Sequence, residues 1–291
     1  MLDFFAVKKS HVIPGALVLR PPTLLWYDSS SMRNQNNKKS GNGRVPFVVY
    51  ITGDMHGDKA RFQNRVLRRL RKNDCLIVCG DFGFLWDDSP KEQKLRKWIG
   101  KRRYHVLFVD GGHDNQDLLA RYEKSQWNGG QVRVISGRLK YLCRGEIFTI
   151  DGKTIFAFGG GTSVDAENRL AQGSWWPEEM PTEEEIDYAR ANLAAHNNAV
   201  DFIVTHQSNT KIKTLLGETD QEADSLNYFF DEVRRTCTFQ KWFFGHFHVD
   251  KLIPPVEVAM FQAFAEMSSG SILLGLPKSK AKNRKRSPWF R

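Results

Sequence analysis

The stretch Val45-Pro-Phe-Val-Val-Tyr-Ile-Thr52-Gly53-Asp54-Met55-His56 runs from an apolar segment directly into a carboxylate and an imidazole. Its first part reads as a buried strand, because β-branched and aromatic residues follow one another with little polar interruption. The same ending recurs four times. Cys75–Cys79 leads into Gly80-Asp81, and Val106–Val109 into Gly112-His113-Asp114. Phe202–Val204 leads into Thr205-His206, and Trp242–Phe244 into Gly245-His246-Phe247-His248. Packing alone does not explain strands that keep ending in Asp or His. In an open α/β sheet the carboxyl ends of the strands converge on one crevice, where ligands bind. The repetition therefore predicts a metal-dependent hydrolase.

Outward from these motifs, strands and helices alternate. Lys59–Lys72 is expected to be a helix, with Phe62, Val66, Leu67 and Leu70 on one face and a basic face opposite. Helices are also expected over Pro90–Ile99 and Asn115–Glu123. Short strands follow at Gln131–Ile135, Glu146–Ile150 and Lys153–Phe158, the last two joined by the hairpin signal Asp151-Gly152. Thr182 and Glu185 fit a capping box that opens a helix reaching about His196. A strand at Val200–Val204, a polar loop and a helix over Glu222–Arg235 come next. The last strands are expected at Lys241–Phe244, Val249–Ile253, Glu257–Phe261 and Ser271–Leu276. The fold class is α/β: two packed, mixed β-sheets flanked by helices in a four-layer α/β/β/α sandwich, with the site at the carboxyl ends of the strands.

The net charge of +10 looks like a nucleic-acid signal until it is located. Of 43 Lys/Arg and 33 Asp/Glu, residues 1–50 and 278–291 together hold fourteen and two, which leaves the middle two negative. The charge belongs to the ends and says little about the site. Residues 1–44 are expected to be a poorly ordered extension, with a polar linker over 28–44 and a translation start at Met32 as one reading. Residues 45–277 form the folded domain and 278–291 a basic, solvated tail. The tail leaves nucleic acid open as a partner. Four cysteines, Cys75, Cys79, Cys143 and Cys237, are too few and scattered for a disulfide framework, so a reducing, cytoplasmic setting is expected. Cys75 and Cys79 read as small buried hydrophobes, a zinc pair being the alternative. No uninterrupted apolar run is long enough to span a membrane.

Asp54 and His56 stand at i and i+2, as do His246 and His248, so each pair points to one side of an extended segment. Carboxylate and imidazole suit Zn, Mn or Fe, and Asp81 has two oxygens with which to bridge two cations. Such a pair would lower the pKa of water and stabilise charge building on a phosphoryl group. The order D-x-H, G-D, G-x-H-D, H, G-H-x-H resembles the calcineurin-like metallophosphoesterase family over about Phe47 to Ile253. The stretches Trp175-Trp176-Pro177-Glu178-Glu179 and Phe158-Gly-Gly-Gly-Thr162 resemble a small bacterial and phage branch of it. The resemblance implies two divalent ions, manganese favoured over iron or zinc. Asp54, His56 and His248 would hold the first, His206 and His246 the second, and Asp81 would bridge them. His113 would be the general acid, with Asp114 orienting it, while a metal-activated water attacks the ester. A phosphoprotein or small phosphoester is the favoured substrate, because the middle of the chain lacks positive charge.

One position departs from the family pattern. Where G-N-H-[DE] has an Asn that ligates the second metal, this chain has Gly112. A weaker second site is expected, and Gly112→Asn is expected to raise metal occupancy and turnover. Two rival readings stay open: a catalytically weakened binding protein, which rests on Gly112 alone, and a nuclease or nucleic-acid-binding protein using the basic ends. Elsewhere the plain readings hold. His105 is expected to be half-buried, and His11 and His196 exposed. The basic face of Lys59–Lys72 and the loop acids Asp165 and Glu167 read as solvated, with Trp175 and Trp176 either capping the core or walling the cleft. No phosphate loop with Lys-Ser/Thr and no G-x-S-x-G elbow appears, which disfavours nucleotide-driven phosphoryl transfer and an α/β-hydrolase.

Overall fold

The structure is a computed structural model, and it describes residues 46–163, 165–218 and 222–273. The N-terminal extension with its linker, Met32, His11 and the basic tail lie outside the described residues.

Two sheets carry the fold. The larger contains β1 (Val49–Gly53), β2 (Cys75–Cys79), β3 (His105–Val109), β4 (Lys124–Trp127), β5 (Gly130–Ser136), β6 (Leu139–Leu142), β13 (Phe264–Glu266) and β14 (Ile272–Leu273). Its order is β14-β13-β1-β2-β3-β6-β5-β4, with β1, β2, β3 and β6 parallel and both edges antiparallel. The smaller contains β7 (Glu146–Ile150), β8 (Lys153–Phe158), β9 (Phe202–Thr205), β10 (Lys241–Phe244), β11 (Lys251–Ile253) and β12 (Glu257–Ala259) in the order β11-β12-β10-β9-β8-β7. Both sheets are therefore mixed, as expected.

The period of two residues explains the layers. In β2, Cys75, Ile77 and Cys79 enter one buried cluster with Leu107, Ile155, Phe202, Phe243 and Val258, which is the space between the sheets. Leu76 and Val78 enter another, with Phe62, Leu67, Ile99 and Phe108, beneath α1 (Pro90–Gly100). On the far side Phe156, Phe158, Ile203, Trp242 and Phe244 pack under α4 (Glu183–Ala195) and α6 (Ser225–Thr236) through Ile186, Leu193, Phe229 and Phe230. Helix, sheet, sheet and helix follow in that order. The cysteines are free, and Cys75, Cys79 and Cys143 are buried. Burial and the nearby Asp74 carboxylate push the Cys75 thiol up to about 12; four residues apart on one strand, at about 3.3 Å each, Cys75 and Cys79 are too far apart to share a zinc ion and act as packing.

Register brings the motif ends level. Gly53 pairs with Cys79, and Cys79 with Val109. In the other sheet Thr205 pairs with both Phe158 and Phe244. The chain leaves all six strands from two facing rows.

Several boundaries differ from expectation. Lys59–Lys72 is not one helix but two short 3-10 turns, Lys59–Gln63 and Leu67–Arg69. The apolar residues Phe62, Leu67 and Leu70 are buried as the pattern asks. The Asn64 side chain accepts from Val66 N at 2.9 Å and breaks the helix between the two turns. The helix at Asn115–Glu123 shortens to α2 (Gln116–Ala120), with Asn115 as its cap. Strands β4, β6 and β13 and two short helices, α3 (Ala166–Ala171) and α5 (Thr210–Leu215), lie where loops were expected. The capping box at Thr182 and Glu185 is present. Among the described residues no helix is long and apolar enough to cross a membrane.

Candidate metal centre

Each motif leaves its strand through a sharp turn. His56, Asp81, His246 and His248 have φ of 43°, 44°, 67° and 51°, a left-handed backbone that costs a residue with a Cβ roughly 1 kcal/mol. Four such residues at one crevice indicate a geometry held against local preference. Gly80, with φ of 82°, is required outright, since a Cβ there would strike the His206 ring. Arg61 clasps the first turn: its Nη1 donates to the carbonyls of Gly53 and Asp54 at 2.7 and 2.8 Å, and its Nη2 donates to Thr52 Oγ1. That reach places the residues after Asp54 on a turn and not on a long helix.

Five of the expected ligands gather into two sets that share Asp81. His56, Asp81 and His248 offer ligand atoms within 4.8 Å of one another, and so do Asp54, Asp81 and His206. His56 Nε2 faces His248 Nε2 at 2.9 Å and Asp81 Oδ2 at 3.8 Å. Asp81 Oδ1 lies 3.5 Å from His206 Nε2, and Asp54 Oδ1 lies 3.4 Å from His206 Nδ1. Two nitrogens each about 2.1 Å from one cation and at right angles stand about 3 Å apart, so the His56–His248 separation suits a shared ion. The rim is set by His248, whose ring stacks on Phe261 at 4.7 Å.

Electrostatics favour a cation here. Burial, and then the nearby Asp81 charge, push the Asp54 carboxyl well above its ordinary range. Asp54 Oδ2 is buried with no hydrogen-bond partner among the described residues. Burial also lowers His56 to about 4 and moves His206 and His248 in the same direction, so these rings are neutral at pH 7 and keep a lone pair to give. Buried carboxylates facing neutral imidazoles fit divalent metal ions.

His246 stands apart from both sets. Its backbone N donates to Asp54 Oδ1 at 3.1 Å, while its ring Nε2 meets the Glu218 carboxylate at 3.1 Å. Sequence reasoning missed Glu218, which follows α5 in a loop with no motif.

His113 is bracketed by two carboxylates. Its Nδ1 is 2.8 Å from Asp81 Oδ2, and its Nε2 is 3.7 Å from Asp165 Oδ2. Burial would lower its pKa, but Asp81 and Asp165 outweigh it and raise the ring to about 10. The role expected for Asp114 needs correction. Its buried carboxylate accepts from the backbone N of Phe82, Gly83 and Gly111 at 3.1, 2.9 and 3.1 Å, so it fastens two loops together. Asp165 flanks the ring instead, and so is more than a solvated loop acid.

Gly112 is not a simple vacancy. The space its Cβ would need is taken by Ser163 Oγ, with Glu179 Oε2 at 3.4 Å. Ser163 is held in turn: its Oγ donates to Glu179 Oε2 at 2.8 Å, its N donates to Glu179 Oε1 at 3.0 Å, and Arg169 Nη1 donates to its Oγ. Gly112→Asn therefore requires Ser163 Oγ to move and give up these bonds, a cost that opposes any gain in metal occupancy. Trp175 Nε1 donates to Glu179 Oε1 at 2.9 Å and Trp176 Nε1 to Asp117 Oδ2 at 3.0 Å, so both indoles brace this wall. Beneath it the buried Arg144 pairs with Asp110 at 2.5 Å, directly before Gly111-Gly112-His113. His105, half-buried beside Lys140, and the exposed His196 take no part.

Similar solved structures include a phosphopantetheinyl hydrolase from Mycobacterium tuberculosis, 15% identical, covering 74% of this chain and 90% of its own, with a TM-score of 0.37. Another is a protein of unknown function from Aquifex aeolicus, 14% identical, covering 64% and 92%, with a TM-score of 0.31. No curated protein matches the chain at a significant level. The calcineurin-like phosphoesterase profile matches residues 47–250, well over half the chain and all five motifs. The chain belongs to the calcineurin-like phosphoesterase family and is a hydrolase acting on phosphate esters.

Proposed function

We propose that this protein hydrolyses a small phosphoester or phosphoprotein with two divalent cations, manganese favoured, and that His113 serves as its general acid. The family is one of dinuclear metal enzymes. By the family's motif order Asp54, His56 and His248 would hold one cation, His206 and His246 the other, and Asp81 both; in this structure Asp54 lies with Asp81 and His206, and His246 stands outside both groups. The observation that carries this reading is the sharing of Asp81 by two sets of ligand atoms. When bound, the cations supply Lewis acidity, lowering the pKa of water and neutralising charge that builds on a phosphoryl oxygen.

The chain's own residues supply the rest. In the metal-free protein the Asp81 and Asp165 carboxylates outweigh burial and raise the His113 ring, which sits at the crevice where it would pass a proton to the leaving oxygen. Asp114 fixes the turn that presents Asp81 by holding the backbone of Phe82 and Gly83. A monoester is favoured because residues 51–277 are two negative overall. A reducing, cytoplasmic setting is supported by four unpaired cysteines.

The test couples metal counting to turnover. Purified protein and its Asp81→Ala variant are assayed with added manganese on a generic phosphomonoester and a generic phosphodiester. The wild type is expected to bind two ions and cleave the monoester faster, and the variant to lose both properties. Equal rates in the two proteins would sink the proposal.

A further inference from the structure

The near-neutral middle of the chain hides a strong separation of charge. Residues 59–104 hold fourteen Lys/Arg against five Asp/Glu, while residues 105–277 hold fifteen against twenty-four. The fold brings the first set to one surface. Eleven of those fourteen bases are exposed, against one exposed acid, Asp87. We propose that this surface, built from the two 3-10 turns and α1, docks the phosphate backbone of duplex nucleic acid. The surface is separate from the metal centre, and its role does not rest on the hydrolytic reading above.

The turns and the helix form one continuous face. Phe62 and Trp98 meet edge-on with ring centroids 5.7 Å apart, and Phe62, Leu67 and Ile99 share the cluster on the outer side of the larger sheet. Over that joint the Arg102 guanidinium lies 3.5 Å from the Trp98 ring and the Lys59 ammonium 4.7 Å from it. Arg103 donates to the Arg68 carbonyl and ties the two segments together. Along α1, Lys91, Lys94 and Lys97 recur every three residues and so project from one side in a row about 9 Å long. Like charges at that spacing repel one another and weaken the helix. The neighbouring carboxylates are engaged elsewhere, Asp74 with Arg71 at 3.6 Å, and Asp88 and Glu92 with the buried Arg96. A bound polyanion would relieve the repulsion.

The chemistry of the face selects its partner. A membrane surface calls for apolar side chains that insert, and none of the exposed large hydrophobic residues lies within residues 59–104. A protein interface calls for aromatic or aliphatic anchors at its centre, whereas Trp98 is packed against Phe62 and covered by Arg102. A phosphate backbone calls only for cations, and the guanidinium groups of Arg65, Arg68 and Arg103 can grip phosphate through paired N–H donors. No aromatic residue of 59–104 is exposed to stack on unpaired bases, so the fit is to duplex and not to a single strand.

The test titrates the full chain into a fluorescent DNA duplex of about 20 base pairs, with chelator present, and follows anisotropy between about 50 and 300 mM salt. Each phosphate neutralised adds about 0.9 to the slope of log affinity against log salt. The wild type is expected to bind with a steep slope. The combined variant Arg65→Gln, Arg68→Gln, Lys94→Gln, Lys97→Gln should lower that slope by about 2–4 and weaken binding at least tenfold. A second variant, with Gln at the seven Lys/Arg of residues 278–291, should lose less. Circular dichroism checks that both variants are folded. A wild type that does not bind at low salt would overturn the proposal. So would a fourfold variant that binds like the wild type, or a tail variant that loses more than it does. Tighter binding of poly-glutamate or of phosphatidylserine vesicles through the same four residues would replace nucleic acid with an acidic protein or a membrane.

Discussion

The contact at Gly112 yields a prediction whose size follows from the structure. No positive φ hinders a side chain there, so the obstacle is space: an added Cβ needs the place of Ser163 Oγ. Moving that hydroxyl breaks its bonds to Glu179 Oε2 and Arg169 Nη1, both charged groups in a buried wall. Hydrogen bonds to charged groups contribute about 1.5–3 kcal/mol each. Arg169 and Glu179 still meet at 3.2 Å once the serine leaves, so the lower end applies and the loss is about 3 kcal/mol. Ser163→Ala removes the same two bonds and is expected to cost about as much. The double variant loses them only once. Its cost should therefore fall short of the sum of the single variants by about 2–3 kcal/mol, well outside the roughly 0.5 kcal/mol of ordinary additivity. Urea unfolding of the four chelator-treated proteins measures the coupling, and manganese titration shows whether the Asn of the double variant tightens the second site relative to Ser163→Ala. Additive energies, or a Gly112→Asn protein as stable as the wild type, would refute the claim that Ser163 occupies this space.

Two further outcomes follow from the buried charges. Arg144→Met leaves Asp110 buried without its cation, and breaking such a pair costs about 3–5 kcal/mol; a shift of the urea midpoint worth under 1 kcal/mol would show that Tyr141 and Gln116, which also donate to Asp110, suffice. In chelator-treated protein His113 has its pKa raised to about 10 from an ordinary 6.5, so its favourable contribution is complete below about pH 6.5 and lost as the pH climbs through 10. The stability gap between wild type and His113→Gln should then be widest near pH 6 and close steadily toward pH 10, and a gap that stays constant across that range would count against the Asp81–His113–Asp165 arrangement.

Much of the site was legible because a strand's ending is a local property. The runs before Asp54, Asp81, His113, His206 and His246 are apolar enough to announce buried strands, and each polar ending stands out against its run. The helix at Thr182 was equally plain, since a capping box closes within four residues. Where tertiary contacts compete with local pattern, the reading failed. The spacing of Phe62, Leu67 and Leu70 is helical, yet the Asn64 turn and the reach of Arg61 to the end of β1 divide the segment. The edge strand β4, Lys-Ser-Gln-Trp, has almost no apolar signal and exists because β5 supplies its hydrogen-bond partners.

The sequence by itself determined which chemical groups stand at the strand ends and that two sheets with helices on their outer faces would carry them. Periodicity acts over a few residues, and a strand's terminus follows from its own composition. Only the tertiary structure decided who meets whom across long separations: Asp165 beside His113, Ser163 in the space at Gly112, Glu218 against His246. These contacts depend on strand order and register, which align Gly53 with Cys79 and Val109, and Phe158 with Thr205 and Phe244. No local pattern encodes that alignment, because it arises when the two sheets bury their shared face.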